Sequence, residues 1–205
     1  MSFKKNKYKI IKQAVPEVVA HFLSDYLSVK REVASTLFKT KYTSPYNEDF
    51  GHWNDDQIPN TYSHYADVAM ETLLLALLPK MEKESGYSLV PTYSYTRIYK
   101  NGDELKRHRD RDSCEISTTI HLGGDEWPIY LEPSGKLGMK GKKVDLQPGD
   151  MLMYKGCELE HWREPFTGEA CAQVFLHYNR REFKNSNQFD GRPHIGLPTY
   201  FRRGQ

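Results

Sequence analysis

The hydrophobic pattern of this chain changes period near residue 88, and this change limits the folds that it can adopt. Before residue 88, apolar residues recur at helical spacing over 18–27 and again over a segment that we predict as a helix from about residue 63 to 84. Pro79 falls inside the second segment and is expected to kink the helix or to end its first part. The stretch between them, 42–62, contains Pro, Asn, Asp and Gly and is predicted to be a long loop.

After residue 88 the chain is rich in Tyr, Thr, Val and Ile, which favour strands. Turn residues separate strands predicted at 90–99, 116–122, 127–131, 143–146, 151–155 and 172–178. Many short strands with frequent turns indicate a sandwich or a barrel. We therefore predict a single domain over residues 1–205 that is mostly β with supporting α. It has helical support and a loop over 1–88, a β core over 89–184 and an extended tail over 185–205.

Composition narrows the class of protein. The net charge of +2 is too small to imply nucleic-acid binding. Cys114, Cys157 and Cys171 form no CxxC pair and are odd in number, which favours a reducing compartment. No stretch approaches the ~20 apolar residues that span a bilayer, and the N-terminus does not resemble a signal peptide. We expect a cytoplasmic protein that binds neither membrane nor nucleic acid.

Three residues form a candidate metal site. In an extended segment His108 and Asp110 point the same way, because residues two apart share a face, and Arg109 points away from them. His161, which follows a strand opened by Pro148-Gly149-Asp150, can supply a third ligand. Two histidines and one carboxylate are typical of ferrous iron sites that leave coordination positions open. The same ligand types can also bind zinc or manganese, as in a hydrolase on a cupin-like barrel.

The segment from Tyr99 to Asp110, with Tyr-x-x-Gly ahead of His-x-Asp, resembles prolyl-4-hydroxylase-like members of the Fe(II)- and 2-oxoglutarate-dependent oxygenases. The run His161-Trp162-Arg163-Glu164-Pro165 is similar to their distal-histidine segment. The resemblance covers roughly residues 93–179. It implies a double-stranded β-helix, a jelly roll of eight main strands packed by the N-terminal helices. It also implies Fe(II) at His108, Asp110 and His161, with 2-oxoglutarate and O2 as cosubstrates and ascorbate as a reductant.

The chain departs from this family at one position. The family places an Arg or Lys about nine or ten residues after the distal histidine, where it pairs with the far carboxylate of 2-oxoglutarate. Here that region reads Glu169-Ala170-Cys171-Ala172, with no base. A buried dicarboxylate still needs a counter-charge. We expect Arg97 to replace the missing base, since it shares a strand face with Tyr99 and would lie beside the small residues of the strand beginning at Ala170. Arg163 is the alternative.

The resemblance assigns further residues to ligands. Tyr99 matches the tyrosine that hydrogen-bonds the cosubstrate, and Ser117 and His121 lie on the inward face of the following strand, where either could add a hydrogen bond. Trp162 and Arg109, each beside a metal ligand, are the candidates for contact with the substrate.

The resemblance implies hydroxylation of a C–H bond, with succinate and CO2 as coproducts and a peptidyl proline as the default substrate. A free amino acid or another small molecule is the alternative substrate. A non-catalytic jelly-roll binding module is the alternative from another functional class. Aromatic residues of the front region could form a lid over the site or could simply pack against the body: Tyr42, Tyr46, Trp53, Tyr62 and Tyr65. The oligomeric state is left open by the sequence.

Overall fold

Two antiparallel sheets face each other in this protein. The computed structural model describes residues 2–44 and 46–202. The larger sheet has the strand order β1-β8-β5-β10-β3-β2 and the smaller one β4-β9-β6-β7. Their bounds are β1 Tyr8–Ile11, β2 Tyr62–Tyr65, β3 Leu89–Lys100, β4 Leu105–His108, β5 Ile116–Gly124, β6 Ile129–Leu131, β7 Lys142–Val144, β8 Met151–Tyr154, β9 His161–Arg163 and β10 Ala170–Arg180.

The eight strands β3 to β10 form a jelly roll, because they alternate between the two sheets along the chain except at the hairpin of β6 and β7. β1 and β2, which come from the N-terminal region, extend the two edges of the larger sheet. The predicted mostly-β, double-stranded β-helix fold is therefore confirmed. β3 pairs with β10, Ala170 opposite Lys100 and Ala172 opposite Ile98, which is the neighbourhood expected from the sequence.

Three helices support the jelly roll: α1 Phe3–Asn6, α2 Glu17–Lys39 and α3 Val68–Ser85. α2 and α3 pack against the outer face of the larger sheet. Leu23, Leu27, Leu74 and Met81 join the apolar side chains of that sheet face in one buried cluster, which is the main source of stability for a fold of this kind. Of the helices that the structure describes, none has the length and apolar content required to cross a bilayer.

The second helix begins later than the sequence predicts, at Val68 rather than near residue 63. Tyr62–Tyr65 instead forms β2 and pairs with β3 at the edge of the larger sheet, and its two tyrosines favour a strand. Asp67 then starts the helix, its side chain accepting a hydrogen bond from the backbone N–H of Met70 at 3.1 Å. Pro79 lies inside α3, which continues past it to Ser85.

The inner face of the larger sheet is unusually polar. Along β5, Ile116, Ile120 and Leu122 face the helices, while the intervening residues Ser117 and Thr119 are fully buried and face the smaller sheet. The residues with the same inward orientation on the three central strands are Tyr93, Tyr95, Arg97 and Tyr99 on β3, Ser117, Thr119 and His121 on β5, and Cys171, Gln173, Phe175 and His177 on β10. A core that needed only stability would place apolar side chains here, so this lining indicates a ligand site.

Candidate active site

Three ligand atoms converge at one end of the jelly roll. Asp110 Oδ1 lies 3.6 Å from His108 Nε2 and 3.4 Å from His161 Nε2. β4 and β9 pair directly, with His108 opposite His161, and this pairing brings the two imidazoles together. Ligands bound about 2.1 Å from one ion and at right angles are about 3 Å apart. The spacing therefore suits a single small cation held on one face.

Backbone carbonyls fix the tautomers of both histidines. His108 Nδ1 donates to the carbonyl of Lys106 at 2.7 Å, and His161 Nδ1 donates to the carbonyl of Leu159 at 3.1 Å. Because a carbonyl can only accept, the hydrogen of each neutral ring is on Nδ1 and the lone pair is on Nε2. Two nitrogen lone pairs and a carboxylate oxygen then face each other, an arrangement that requires a proton or a metal ion among them. The donor set therefore fits a divalent metal such as Fe(II).

The carboxylate of Asp110 is held through Oδ2, the oxygen that is not directed at the two histidines. Ser117 Oγ donates to Asp110 Oδ2 at 2.7 Å, and the backbone N–H of Asp110 donates to the carbonyl of Gly156 at 3.0 Å. A Cβ at residue 156 would lie 2.2 Å from Asp110 Oδ2, so only glycine fits there. Burial alone would raise the pKa of Asp110, but when the two imidazoles are protonated the charge of His161 and hydrogen bonds from both histidines hold this pKa well below its usual range. Ser117 thus lies beside the carboxylate that is a candidate metal ligand, where it can orient that group.

Arg163 is a buried cation. It follows His161 by two residues on β9 and shares its inward face, yet it is only 1% exposed. Its guanidinium donates to the carbonyl of Trp127 and, at 3.2 Å, to Thr119 Oγ1, while its Nε has no partner among the described residues. No carboxylate of the described chain lies within 4.0 Å of it. Burial lowers the pKa of Arg163, because a charge removed from water is destabilised unless an anion meets it.

Two further polar atoms near Arg163 are buried without a partner in the described part of the chain, Tyr99 Oη and His121 Nε2. Burial, and then the charge of Arg163, lower the pKa of His121 to about 4, so that this imidazole is neutral at physiological pH. Its Nδ1 lies 3.0 Å from the side-chain amide of Gln173. Buried polar atoms are rarely left unsatisfied in native proteins. Their clustering beside an unpaired guanidinium indicates a place where a polar anionic group would find partners.

Arg97 occupies a different environment, on the same inward face but beside the mouth of the jelly roll. Its Nη2 donates to Asp55 Oδ2 at 2.7 Å, and Tyr95 Oη donates to the same carboxylate. Arg97 is therefore already paired with an anion. Asp55 comes from the loop between α2 and β2, 42 residues away in sequence, and the sequence analysis did not identify it.

A cavity of about 320 Å³ opens over the three metal-ligand candidates. Tyr93, Tyr95, Phe175, Tyr154 and Ile129 form much of its wall. Arg97 and Arg109 line it as well, so that Arg109, which faces away from the metal ligands, still reaches the mouth. From the loop, Asp55 and Gln57 contribute, and Gln57 Nε2 lies 3.2 Å from His108 Nε2.

Several residues expected at the site fall outside this cavity. Tyr99, Ser117, His121 and Arg163 are not among its lining residues. Trp162 points to the opposite face of β9, where its indole is stacked on Tyr130 at 5.5 Å and covered by the guanidinium of Arg107 at 4.1 Å. The aromatic residues proposed as a lid are not among the cavity-lining residues either. Tyr42 and Tyr46 are 84% and 88% exposed, and Trp53 packs against Phe38 and Tyr62. The loop reaches the site through Asp55 and Gln57 instead, and polar loop residues carry no periodic signal that would identify them.

A second cluster of possible ligands, Cys114 and His177, shares Asp110 with the first. Burial and the charge of Asp110 raise the pKa of the Cys114 thiol well above its ordinary value, and a protonated thiol is a poor metal ligand. His177 Nδ1 is engaged with Ser117 Oγ at 3.0 Å. This cluster therefore helps to position Asp110 through Ser117 and is less suited to bind a metal itself.

The C-terminal segment secures the turn that follows Asp110. Asp190 is buried and receives hydrogen bonds from Tyr65 Oη at 2.8 Å, Ser113 Oγ at 2.6 Å and both Nη atoms of Arg111 at 2.9 and 2.8 Å. Burial alone would raise the pKa of Asp190, but these hydrogen bonds and the charge of Arg111 lower it to about 2.

We expect Asp190→Asn to destabilise the protein at neutral pH. The folded pKa is depressed, so the stabilisation is complete above the unfolded pKa of about 3.9 and is lost as pH falls towards 2. The loss at pH 7 should be on the order of 2 kcal/mol. Urea unfolding at a series of pH values measures this, with exposed Asp145→Asn as the matched control. Parallel pH curves for Asp190→Asn and the wild type would show that Asp190 is not the responsible group.

Comparison with known proteins places this geometry in a recognised fold. No protein-family model matches the chain, and no curated protein sequence matches it. Among solved structures, a prolyl-4-hydroxylase from Pseudomonas putida is 15% identical with a TM-score of 0.61, over 87% of this chain and 95% of that one. EctD from S. alaskensis, with bound iron, is 14% identical with a TM-score of 0.63, over 92% and 78%. HygX from Streptomyces hygroscopicus, with nickel, 2-oxoglutarate and hygromycin B bound, is 13% identical with a TM-score of 0.59, over 88% and 86%.

At these identities the likeness establishes the fold. The chain has the double-stranded β-helix fold found in the Fe(II)- and 2-oxoglutarate-dependent oxygenases, and the resemblance drawn from the sequence is confirmed at that level.

Proposed function

We propose that this protein is a non-haem Fe(II)- and 2-oxoglutarate-dependent oxygenase that hydroxylates a C–H bond. One observation carries the proposal. The Nε2 atoms of His108 and His161 both lie within 3.6 Å of Asp110 Oδ1, and Arg163, a buried guanidinium without an anionic partner in the described chain, lies two residues from His161. A metal site and an anion site thus adjoin in a fold that supports this chemistry. In such a site Fe(II) and 2-oxoglutarate activate O2 and supply the oxidant, and 2-oxoglutarate leaves as succinate and CO2.

The residues of this chain take separate roles in the proposal. His108, Asp110 and His161 bind the metal, and Ser117 orients Asp110. Arg163 takes the far carboxylate of 2-oxoglutarate, since it shares the inward face of β9 with His161 and is buried without a carboxylate partner in the described chain.

Tyr99, Thr119 and His121 line the same part of the interior and have polar atoms to offer this ligand. Arg97, favoured from the sequence, is the weaker candidate because Asp55 already neutralises it. Burial of the ligand in this region excludes water and strengthens each of these contacts.

We propose a peptidyl proline as the substrate, following the prolyl-4-hydroxylase-like sequence pattern. The aromatic walls of the cavity, Tyr93, Tyr95 and Phe175, suit a proline ring. A free amino acid or another small molecule is the second candidate. It is favoured by the Asp55–Arg97 ion pair in the cavity wall, whose two charges match those of a zwitterion. A cytoplasmic setting is consistent with three cysteines that form no disulfide.

The function is tested by adding Fe(II), 2-oxoglutarate and O2 to the metal-free protein and measuring succinate by NMR. We expect succinate that depends on both iron and O2, faster with a productive substrate, and a mass increase of one oxygen on a proline-containing peptide. Zn(II) in place of Fe(II) is the control, because zinc has no redox chemistry.

Other outcomes separate the alternatives. Oxygen incorporation into free amino acids but not peptides rejects the peptidyl substrate. Absence of iron-dependent succinate with every candidate substrate rejects the oxygenase, and leaves a binding module or a zinc hydrolase.

A further inference from the structure

Cations are concentrated in two neighbouring segments of the smaller sheet. The stretch 133–144, which joins β6 to β7, contains four lysines and no aspartate or glutamate. β4 and the turn after it add Lys106, Arg107 and Arg109, and the only acidic residue there is the metal ligand Asp110. The net charge of the whole chain is only +2, so this part of the surface is far more basic than the average.

Hydrogen bonds hold these segments together at the mouth of the cavity. Arg109, which lines the cavity, donates to the carbonyl of Gly135 at 2.7 Å, and Arg107 donates to the carbonyl of Met139 at 2.6 Å. The backbone N–H of Gly138 donates to Glu160 Oε2 at 2.9 Å. The loop is therefore fixed along β4. Lys136 and Lys140 each directly follow a residue whose carbonyl is bound by an arginine of β4 or of the turn after it.

Five of these cations have no carboxylate within 4.0 Å in the described parts of the chain: Lys106, Arg109, Lys136, Lys140 and Lys142. Lys142 Nζ instead donates to Tyr8 Oη at 3.2 Å. We call the other four residues the basic rim. All four are exposed. Like charges gathered beside a concave site raise the local concentration of an anionic ligand and speed its association. A rim that served only solubility would have its charges mixed in sign.

We propose that the basic rim binds an acidic segment of a peptide substrate, on the chain flanking the residue that enters the cavity. This inference rests on the proposed oxygenase function and specifies its substrate as an acidic polypeptide. Leu137 and Met139 lie between Lys136 and Lys140 in sequence and are 71% and 51% exposed. The loop thus offers both charge and apolar contacts, the combination that suits an acidic peptide with apolar residues between its carboxylates.

The nearby aromatic residues favour a peptide over a nucleic acid. Proteins that bind single strands stack bases on free aromatic faces. Trp162, which lies beside Arg107 and the loop that carries Lys140, has one face on Tyr130 and the other under Arg107, and its ring edge lies against Gly141. It has no free face to offer a base.

The test uses the protein loaded with Fe(II) and 2-oxoglutarate in the absence of O2. Fluorescence anisotropy measures the binding of a labelled peptide with one proline among glutamates, and of the same peptide with lysines instead. We expect the acidic peptide to bind more tightly and its affinity to fall with added salt. Lys136→Glu with Lys140→Glu should weaken it by about tenfold or more, and the pair of glutamine variants by less. The control, Lys39→Glu with Lys83→Glu, makes the same charge change on the exposed surfaces of α2 and α3 and should bind as the wild type.

Three results would overturn the basic rim as a peptide site. The first is equal peptide binding by the rim variant and the control variant. The second is tighter binding of a single-stranded DNA of matched charge. The third is an equal rise in the KM for 2-oxoglutarate and for peptide in the rim variant, because this would assign the lysines to steering of the cosubstrate. Iron-dependent succinate formation is measured separately on each variant, so failure of the oxygenase proposal is distinguished from failure of the rim.

Discussion

Replacing Arg163 with Met should abolish the stabilisation of this protein by 2-oxoglutarate while leaving the metal site intact. The guanidinium is buried without a carboxylate in the described chain, so removing its charge takes away a desolvation penalty. The ligand-free variant should melt at the same temperature as the wild type or higher. The bound dicarboxylate, by contrast, would lose its charge-assisted hydrogen bonds. We expect its dissociation constant to rise by about 100-fold or more.

The measurement is thermal melting of the metal-loaded protein without O2 over a series of 2-oxoglutarate concentrations, since a ligand that binds only the folded state raises the Tm. Arg97→Met is the matched comparison, as both substitutions remove a buried guanidinium from the same interior. It should keep the 2-oxoglutarate-dependent shift, although it leaves Asp55 unpaired. The opposite pattern, a shift kept by Arg163→Met and lost by Arg97→Met, would make Arg97 the anchor.

Arg97 and Arg163 differ in a contact that the sequence alone does not reveal. Both lie two residues from another candidate residue on a strand, so strand periodicity places both on the inner face. The choice between them depends on Asp55, which reaches Arg97 from a loop without any periodic pattern. A contact across 42 residues depends on how the loop packs, and one sequence does not contain that information.

The elements predicted well are those fixed by local pattern. The long strands β3, β5 and β10 follow from runs of β-branched and aromatic residues. β1, β2, β4 and β9 were missed, because strands of three or four residues owe their structure to the neighbours that they pair with. His108 ends β4 and Asp110 lies two residues beyond it. The positioning roles of Ser117 and Gly156 behind Asp110 are likewise visible only once the two sheets are assembled.

Asp110→Asn should remove most of the affinity of this protein for Fe(II), with little change in fold. The amide keeps the shape of the side chain and can still accept the hydrogen bond from Ser117, but it brings no negative charge to the two histidine nitrogens. Loss of a residue that hydrogen-bonds a metal ligand without touching the metal lowers the affinity for the metal by about 10- to 100-fold. Loss of the ligand charge itself should cost at least about 100-fold. Anaerobic titration with Fe(II), followed by calorimetry, measures the change.

Two further variants and the pH dependence sharpen this test. Ser117→Ala should lie between Asp110→Asn and the wild type, because it frees the carboxylate without removing it. Asp112→Asn, a change at an exposed carboxylate two residues away, should bind Fe(II) normally.

Burial lowers the pKa of His108, but the hydrogen bond and charge of Asp110 outweigh it and raise this pKa above its usual value. Protons therefore compete with the metal, and the wild-type affinity should fall as pH drops through that raised pKa. In Asp110→Asn the competition should weaken along with the affinity. Normal Fe(II) binding by this variant would place the metal elsewhere and would remove the basis for the oxygenase proposal.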